Sequence, residues 1–365
     1  MGKLTNTREL FIEAARKVAA RVKIVHPRPL VMRLEFADGI HLFTHGGKPN
    51  FNSSVTSKIA RDKDLTVRML ENVGMPTPAS QFVWLTREKF PKDTDITQTD
   101  EYRQLQVFAQ RVGFPIFLKP NQGSQGKNVF CVRNQDSLKS VLEKLLKQAP
   151  GFFIAQEACV GEEYRIVVVQ GEIVLAYTRK PLCVTGDGHS TIRQLLQKKL
   201  TKLKLQGREV SLKPHSEKIR LHLEANRLGL ETIPMLGAEV SVLSNRNLSD
   251  GSDPVECTEA TKQKYGQLCR DVYEKCGVDY CGLDLIEDTR SGEIKPVIIE
   301  INSNPGYKHF IRSAPENPAM VRSVFERTLS ALYLRAQLAR QASRPAHTTT
   351  TAPTHSPSRH PVLTT

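Results

Sequence analysis

The sequence lacks any apolar run approaching the roughly 20 consecutive residues that a transmembrane helix needs. Its first ten residues, MGKLTNTREL, mix charges and contain no apolar stretch of the secretory kind. The seven cysteines are odd in number and form no Cys-x-x-Cys pair, which argues against a disulfide framework and a zinc cluster. These absences predict a cytoplasmic protein, with no membrane partner, whose cysteines are reduced and mostly buried.

Positive charge is abundant, with a formal net charge of +14. It is concentrated in Lys198–Arg220 (KKLTKLKLQGREVSLKPHSEKIR) and in the segment after Leu338. No helix-turn-helix, zinc-finger or RNP pattern accompanies either segment, so nucleic-acid binding is only a minor alternative. Two interpretations stay open, a solvated surface or a surface that attracts an anionic substrate.

Helical and extended patterns alternate along the chain. Apolar periodicity predicts helices over residues 7–22, 63–73, 136–148 with Asp136 as N-cap, 191–205 and 258–276. Short apolar runs predict strands over residues 113–119, 128–132, 152–155, 164–169, 172–177, 282–286 and 296–301, several of them in hairpins. This mixture indicates an α+β fold. We expect an N-terminal region over 1–60, a main domain over 61–335 divided near residue 155, and a disordered tail over 336–365.

The segment FLKPNQGSQGKNV joins two predicted strands through a glycine-bearing loop. Glycines allow backbone N–H groups to approach phosphates, and Lys119 on the first strand could neutralise them. The loop comprises Gly123, Ser124, Gln125 and Gly126. It is not a Walker A loop, because it does not open a helix. Taken alone, it is equally typical of an ordinary turn.

Two carboxylates and an amide lie in the predicted strands of CGLDLIEDTRSGEIKPVIIEINSNPG. Asp284 lies in the first strand, and Glu300 and Asn302 lie two residues apart in the second, on one face. Carboxylates among apolar neighbours need a cation or a metal. Their oxygens suit Mg²⁺, although pairing with lysines or exposure to solvent is the alternative.

These segments, together with ARDKDLTVRMLENVGMPTP and FIAQEACVGEEYR, resemble the ATP-grasp superfamily from about Arg61 to Leu332. The resemblance implies two α+β lobes that hold ATP between antiparallel sheets. It also implies Mg²⁺, with Mn²⁺ as the alternative ion. By position, it assigns Lys63, Lys119 and the loop Gly123–Gly126 to phosphates, Gln156 to adenine, Glu163 to ribose, and Asp284, Glu300 and Asn302 to metal. Glu157, at the end of the same predicted strand as Gln156, is a further candidate contact to the nucleotide.

Within the superfamily, the sequence is similar to the ATP-grasp modules of cyanophycin synthetase and of bifunctional glutathione synthetases. The similarity lies in RKPLCVTGDGHSTI, SNRNLSDG and EINSNPG, and it makes Arg165, Arg179 and Arg246 candidate ligands of the transferring phosphoryl group. The sequence departs from the pattern at Gln156, where an acid is usual, and at Asp250-Gly251, where two glycines are usual.

The resemblance implies an ATP-dependent carboxylate–amine ligase that acts on an amino acid or short peptide through an acyl phosphate. Enzymes of this kind are commonly homo-oligomers. A phosphoryl transferase with a stable phosphate product is the main alternative, and a basic nucleic-acid-binding protein is the other. No histidine is identified as a general base.

Overall fold

The computed structural model of the chain describes residues 6–91, 93–123, 128–208, 210, 212–243 and 248–343. Helices are mixed with four small sheets, and every strand pair of the described residues is antiparallel. The α+β fold class is therefore confirmed.

The N-terminal region packs against the last helix of the chain. Its helix α1 begins with a capping box, in which Asn6 and Glu9 each accept the other's backbone N–H. Leu10, Phe11 and Ala14 of α1 enter a core shared with the last helix. The elements are α1 (Thr7–Val18), β1 (Arg21–Pro27), β2 (Leu30–Glu35), β3 (His41–His45), α2 (Ser54–Ile59) and, at the far end, α9 (Asn317–Ala342).

A first lobe contains a four-stranded sheet in the order β4-β7-β5-β6, with helices α4 and α5 on one face. Alternation along the strands buries Leu85, Leu118 and Ala155 beneath those helices and directs Lys119 and Gln156 to the opposite face. The elements are α3 (Lys63–Asn72), β4 (Ser80–Leu85), a 3₁₀ turn (Ile96–Gln98), α4 (Asp100–Val112), β5 (Ile116–Pro120), β6 (Phe130–Val132), α5 (Gln135–Gln148) and β7 (Gly151–Glu157).

A second lobe contains a five-stranded sheet in the order β12-β9-β8-β13-β14. One face packs on α8 and α3, and part of the other is covered by α1, α9 and the N-terminal sheet. The uncovered part of that second face carries the candidate site. The elements are β8 (Gly161–Val169), β9 (Glu172–Lys180), β12 (Asp253–Glu256), α8 (Thr258–Cys276), β13 (Tyr280–Asp288) and β14 (Lys295–Asn302).

An inserted subdomain with its own apolar core lies between β9 and β12. Its elements are β10 (Cys183–Thr185), α6 (Ile192–Leu205), α7 (Glu217–Ala225), β11 (Glu239–Ser241) and a 3₁₀ turn (Leu248–Asp250). The GDGHST motif forms the turn before α6. A Cβ on Gly186 would lie 2.1 Å from the Met235 carbonyl oxygen, so this glycine allows close packing of the loop 229–238.

Several predicted bounds were wrong. Helix α1 ends at Val18, four residues early, because the chain turns into β1. The N-cap of α5 is Asn134, whose side chain accepts the Ser137 N–H, and not Asp136. Helix α9 continues to Ala342, seven residues into the predicted tail, because that segment is rich in helix formers. The predicted tail after residue 343 lies outside the described residues.

The cysteines are free, as expected, but only Cys269 and Cys281 are buried and the other five are half-buried. The domain bounds at residues 60, 155 and 335 stay predictions. No helix in the described part of the chain has both the length and the hydropathy of a membrane span.

Replacement of Gly161 by alanine is expected to lower the free energy of unfolding by about 3 kcal/mol or more. Gly161 opens β8 opposite Asp288, and a Cβ there would lie 1.7 Å from the Glu287 carbonyl oxygen, a backbone atom that cannot rotate away. Urea denaturation measures the change. Gly229→Ala is the control, because the nearest atom to its Cβ is 3.9 Å away, and equal stability of the two variants would contradict the prediction.

Candidate active site

Two sheet faces meet across the cleft between the lobes. The four-stranded sheet contributes Lys119 and Gln156, and helix α3 contributes Lys63 at its first residue. The five-stranded sheet contributes six polar side chains from four of its strands, namely Glu163 and Arg165 on β8, Arg179 on β9, Asp284 on β13, and Glu300 and Asn302 on β14. The structure thus brings together residues separated by up to 239 positions in sequence.

Lys119 and Gln156 form a pair on the first lobe. The Lys119 ammonium donates to Gln156 Oε1 at 2.7 Å. Burial lowers the pKa of Lys119, and the nearby Glu300 and Glu163 carboxylates oppose that shift. Because lysine can only donate, Gln156 presents its Nε2 as a second donor, and this buried atom has no hydrogen-bond partner among the described residues. A bound ligand with an acceptor would satisfy it.

Lys63 contacts both the glycine-bearing loop of the first lobe and the second lobe. Asp62 caps α3 by accepting the Leu65 N–H, which fixes Lys63 at the positive end of the helix. The Lys63 ammonium donates to the Gly123 carbonyl oxygen at 3.1 Å and lies 3.8 Å from Glu300 Oε1. The backbone N–H groups of Lys63 and Asp64 donate to Asn121 and that of Leu65 donates to Asp62, so this end of α3 offers an anion the Lys63 ammonium.

Asp284 and Glu300 are direct cross-strand partners on β13 and β14, and Asn302 follows on the same face. Burial and the neighbouring Asp284 raise the pKa of Glu300, while Lys63 opposes the shift. The Asn302 Nδ2 atom is buried and has no hydrogen-bond partner within the described residues. No three His, Cys, Asp or Glu side chains in those residues are placed so that together they could hold a metal ion, so the predicted metal set depends on the Asn302 side chain.

Two arginines converge on Asp284. Arg165 Nη2 donates to Asp284 Oδ2 at 3.0 Å, and its Nε lies 2.5 Å from Oδ1. Arg179 Nη2 donates to Oδ1 at 3.1 Å, and its Nη1 lies 3.9 Å from Glu163 Oε2. Burial alone would lower the pKa of Arg165, yet Asp284 raises it above its ordinary value. Asp284 therefore pairs with arginines, whereas Glu300 pairs with a lysine, Lys63, as the alternative considered from the sequence allowed.

Gly282 was not identified from the sequence and makes room for Arg165. A Cβ at this position would lie 2.8 Å from Arg165 Nη1 and 2.8 Å from Pro305. The sequence contained a signal for this position, because an isolated glycine inside an apolar strand often marks the close approach of another group.

The connection between the lobes is fixed by Glu157, Arg290 and Asp288. Arg290 donates to Glu157 Oε2 at 3.0 Å and to both oxygens of Asp288, while Asp288 also accepts the Val160 N–H at 3.0 Å. The other oxygen of Glu157 accepts the Ala79 N–H at 2.7 Å. Both oxygens of the Glu157 carboxylate therefore accept hydrogen bonds within this connection, and its role in nucleotide binding stays a prediction. Arg290 and Asp288 were missed because nothing in one sequence pairs them with Glu157.

Arg290→Gln is expected to weaken binding of an ATP analogue about tenfold, or by about 1.4 kcal/mol, because charge-assisted hydrogen bonds across the connection between the lobes are lost. Isothermal titration calorimetry measures this change, and small-angle scattering should show a more open protein. Arg103→Gln, which removes an exposed pair with Asp100, serves as the control. Unchanged affinity in the Arg290 variant would mean that the hydrogen bonds of Arg290 do not determine the geometry of the cleft between the lobes.

Four predicted site residues lie outside the described residues, namely Ser124, Gln125, Gly126 and Arg246. Gly123, at the edge of that gap, has a φ of +145°.

The basic stretch of residues 198–220 is partly neutralised within the protein. Arg208 is 1% exposed and donates to Asp253 at 2.6 Å, Lys199 contacts the same carboxylate, and Arg220 pairs with Glu224. Lys198 lies 3.8 Å from Asp187. The stretch is thus in part an internal salt-bridge network of the inserted subdomain, which weakens the nucleic-acid alternative.

Comparison with known proteins gives consistent results. Residues 60–215 match the RimK-like ATP-grasp domain family. Cyanophycin synthetase of Trichormus variabilis is 26% identical over 281 residues, 72% of this chain and 28% of that protein. The glutathione biosynthesis bifunctional protein GshAB of Streptococcus mutans is 27% identical over 317 residues, 83% of this chain and 40% of that protein. The chain therefore spans less than half the length of these relatives.

Among solved structures, a bifunctional glutathione synthetase from Pasteurella multocida superposes with a TM-score of 0.58 at 20% identity. The match covers 90% of this chain and 43% of that chain. This likeness establishes the fold, and the family match covers the first lobe from α3 to β7 together with strands β8 and β9 of the second lobe. The resemblance to the ATP-grasp superfamily inferred from the sequence is confirmed: the chain has the ATP-grasp fold, and its residues 60–215 match the RimK-like ATP-grasp domain.

Proposed function

We propose that the protein is an ATP-dependent carboxylate–amine ligase that forms an amide bond through an acyl-phosphate intermediate. The observation that carries this proposal is the convergence of Lys63 and Lys119 with Asp284, Glu300 and Asn302 across the cleft. Cations that can hold a phosphate chain face oxygen ligands that can hold its metal ion. The relationship to ATP-grasp ligases supports the same chemistry.

The nucleotide would be held mainly by the first lobe. Lys63 and Lys119 would bind phosphate oxygens, together with the loop that begins at Gly123. Gln156 Nε2 would donate to the base, and Glu163, on the facing strand, would accept from the ribose. These assignments follow the resemblance, and the buried Gln156 Nε2, which has no hydrogen-bond partner among the described residues, supports the contact to the base.

Asp284, Glu300 and Asn302 would hold Mg²⁺, with Mn²⁺ as the alternative. The three side chains can supply oxygen ligands, and the buried Asn302 Nδ2, a donor with no partner among the described residues, fits a site in which a bound ligand supplies an acceptor. When bound, the ion supplies charge that offsets the repulsion between the nucleotide phosphates and an incoming carboxylate.

The chain's own cations would act on the same repulsion. Arg165 and Arg179 lie beside the metal-binding carboxylates and would stabilise charge on the transferring phosphoryl group, with Arg246 as a further candidate. The carboxylate oxygen attacks the γ-phosphorus and ADP leaves. The amine then attacks the acyl carbon, releasing phosphate and a proton. Closure of the two lobes would exclude water, which otherwise hydrolyses an acyl phosphate.

The substrates proposed are an amino acid or short peptide. Glutathione biosynthesis is the named role of one relative, and the other is a cyanophycin synthetase, but this chain spans only part of each. The inserted subdomain, whose GDGHST turn begins seven residues after Arg179, is the proposed acceptor side. A homo-oligomeric assembly is proposed from the same resemblance.

The test is Mg²⁺-dependent ADP release across a panel of amino acids and short acidic or basic peptides, with product masses determined. ADP release accompanied by a product whose mass equals the joined substrates minus water supports the ligase. A product that gains the mass of a phosphoryl group would instead establish the phosphoryl transferase. Salt-dependent binding of duplex nucleic acid without nucleotide binding would favour the basic-surface alternative.

A further inference from the structure

An exposed aromatic surface lies on the first lobe, on the same sheet face as Lys119 and Gln156. Trp84 of β4 is the cross-strand partner of Phe152 on β7, and their ring centroids lie 5.8 Å apart. Phe82, two residues before Trp84, stacks on Phe152 with a centroid distance of 5.9 Å. Trp84 is 44% exposed and Phe152 is 49% exposed. Large apolar rings grouped at a surface indicate an interaction site, whereas single exposed ones are common.

A cavity of about 700 Å³ adjoins the aromatic surface. Phe82 and Phe152 line it together with an acidic rim formed by Asp62 and Asp64, and no lysine or arginine is among the described residues of its wall. Arg68 lies 3.3 Å from Asp64, so two carboxylates and one guanidinium give a net charge of −1 here. In a chain whose net charge is +14, such a cavity attracts a basic ligand that also carries apolar surface.

Two lysines near this surface are already paired. Lys89 lies over the Trp84 ring, with its ammonium 5.2 Å from the ring centroid, and it donates to Glu101. The Lys63 ammonium lies 3.8 Å from Glu300, on the side of the cleft. Neither lysine therefore adds an uncompensated positive charge that would repel a basic ligand.

A segment with the matching chemistry follows α9 in the same chain, outside the described residues. Residues 344–365, RPAHTTTTAPTHSPSRHPVLTT, contain four prolines, two arginines and no acidic residue. Within them, Arg359 lies between Pro357 and Pro361 in SPSRHP, residues 356–361. Proline-rich segments dock on aromatic-lined surfaces because their extended helix is preformed, and an arginine beside the prolines can pair with carboxylates.

The segment is long enough to reach the aromatic surface. Helix α9 ends at Ala342, and 16 residue steps separate Ser343 from Arg359. At about 3.1 Å per residue in a polyproline helix, these steps span about 50 Å. A compact domain of this size has a radius of gyration of about 20 Å, so its diameter is similar to that span. Tethering also gives the segment an effective concentration on the order of millimolar, at which a weak contact is well populated.

We propose that residues 356–361 of this chain dock on the aromatic surface, with Arg359 paired to the acidic rim. The docked segment lies beside Asn121, which lines the same cavity. Asn121 accepts the backbone N–H groups of Lys63 and Asp64 through its main-chain and side-chain oxygens, so the segment lies against the residue that positions Lys63. The inference does not rest on the proposed function, because it requires neither a nucleotide nor the ligase reaction.

Trp84 is the only tryptophan of the chain, so its fluorescence reports on the aromatic surface alone. The measurement is acrylamide quenching of the full chain. Arg359→Glu should raise the quenching constant about twofold, because the segment no longer excludes water from the ring. Replacement of Pro357 and Pro361 by glycine should have the same effect. Arg344→Glu is the matched control, because it makes the same charge change outside the docking segment and should behave like the wild type.

A charge exchange identifies the partner of Arg359. Asp64→Lys alone should also raise the quenching constant, and Asp64→Lys combined with Arg359→Glu should return it toward the wild-type value. Circular dichroism verifies that each variant is folded. The proposal is overturned if Arg359→Glu and the proline variant are quenched like the wild type, or if the charge exchange restores nothing. A wild-type quenching constant that changes on dilution also overturns it, because the segment would then come from a second molecule.

Discussion

Replacing Glu300 with glutamine is expected to lower substrate-dependent ADP release at least about a thousandfold, equivalent to about 4 kcal/mol of transition-state stabilisation. The substitution keeps the size of the side chain and removes one charge. Glu300 is the carboxylate that faces Asp284 across the strand pair and Lys63 across the cleft. Loss of its charge would weaken the metal-ligand set and leave the surrounding cations without their counter-charge.

The variant should remain folded, because the glutamine side chain can occupy the same space on β14. Thermal unfolding and initial rates of ADP release at saturating Mg²⁺ measure the two properties separately. Glu274→Gln on the exposed surface of α8 is the matched control and should retain full activity. A Glu300→Gln protein that keeps more than about a tenth of the wild-type rate would remove Glu300 from the metal site.

Lys119→Met is expected to weaken binding of an ATP analogue about thirtyfold, or by about 2 kcal/mol, with a smaller effect on stability. Lys119 is the buried cation of the first lobe, and its ammonium lies in hydrogen-bond contact with Gln156. Methionine preserves the apolar stem but cannot neutralise a phosphate. Isothermal titration calorimetry with the analogue and Mg²⁺ measures the loss.

The control for Lys119 is Lys144→Met on α5, the helix that covers the other face of the same sheet. That lysine is exposed and should contribute nothing to nucleotide binding. Equal affinities in the two variants would show that the cation on β5 does not contact the nucleotide.

The individual helices, strands and turns of the site could be predicted from the sequence, because each depends on residues that are neighbours along the chain. The hairpin that joins β8 and β9 follows from Gln170-Gly171 between two apolar runs, and both residues have positive φ. Helix α8 was predicted with its observed bounds. The same-face position of Glu300 and Asn302 follows from the period of two along a strand.

Contacts between residues far apart in the sequence could not be predicted in this way. Arg165 meets Asp284 because β8 pairs with β13 in one register, and 119 residues separate the two side chains. The sequence analysis named Asp284 as a metal ligand and Arg165 as a phosphoryl ligand. It did not predict that the two side chains contact each other. The N-terminal sheet was missed entirely, because its three strands are short and rich in charged and histidine residues.

The measurement that tests the central claim most directly uses carboxylate substrates labelled with ¹⁸O, incubated with ATP, Mg²⁺ and an amine acceptor. If the protein is a ligase acting through an acyl phosphate, each amide formed should transfer one ¹⁸O atom from the carboxylate to inorganic phosphate, and mass spectrometry of the phosphate detects it. Amide formation with unlabelled phosphate, or ATP turnover to a stable phosphorylated product without an amide, would contradict the account.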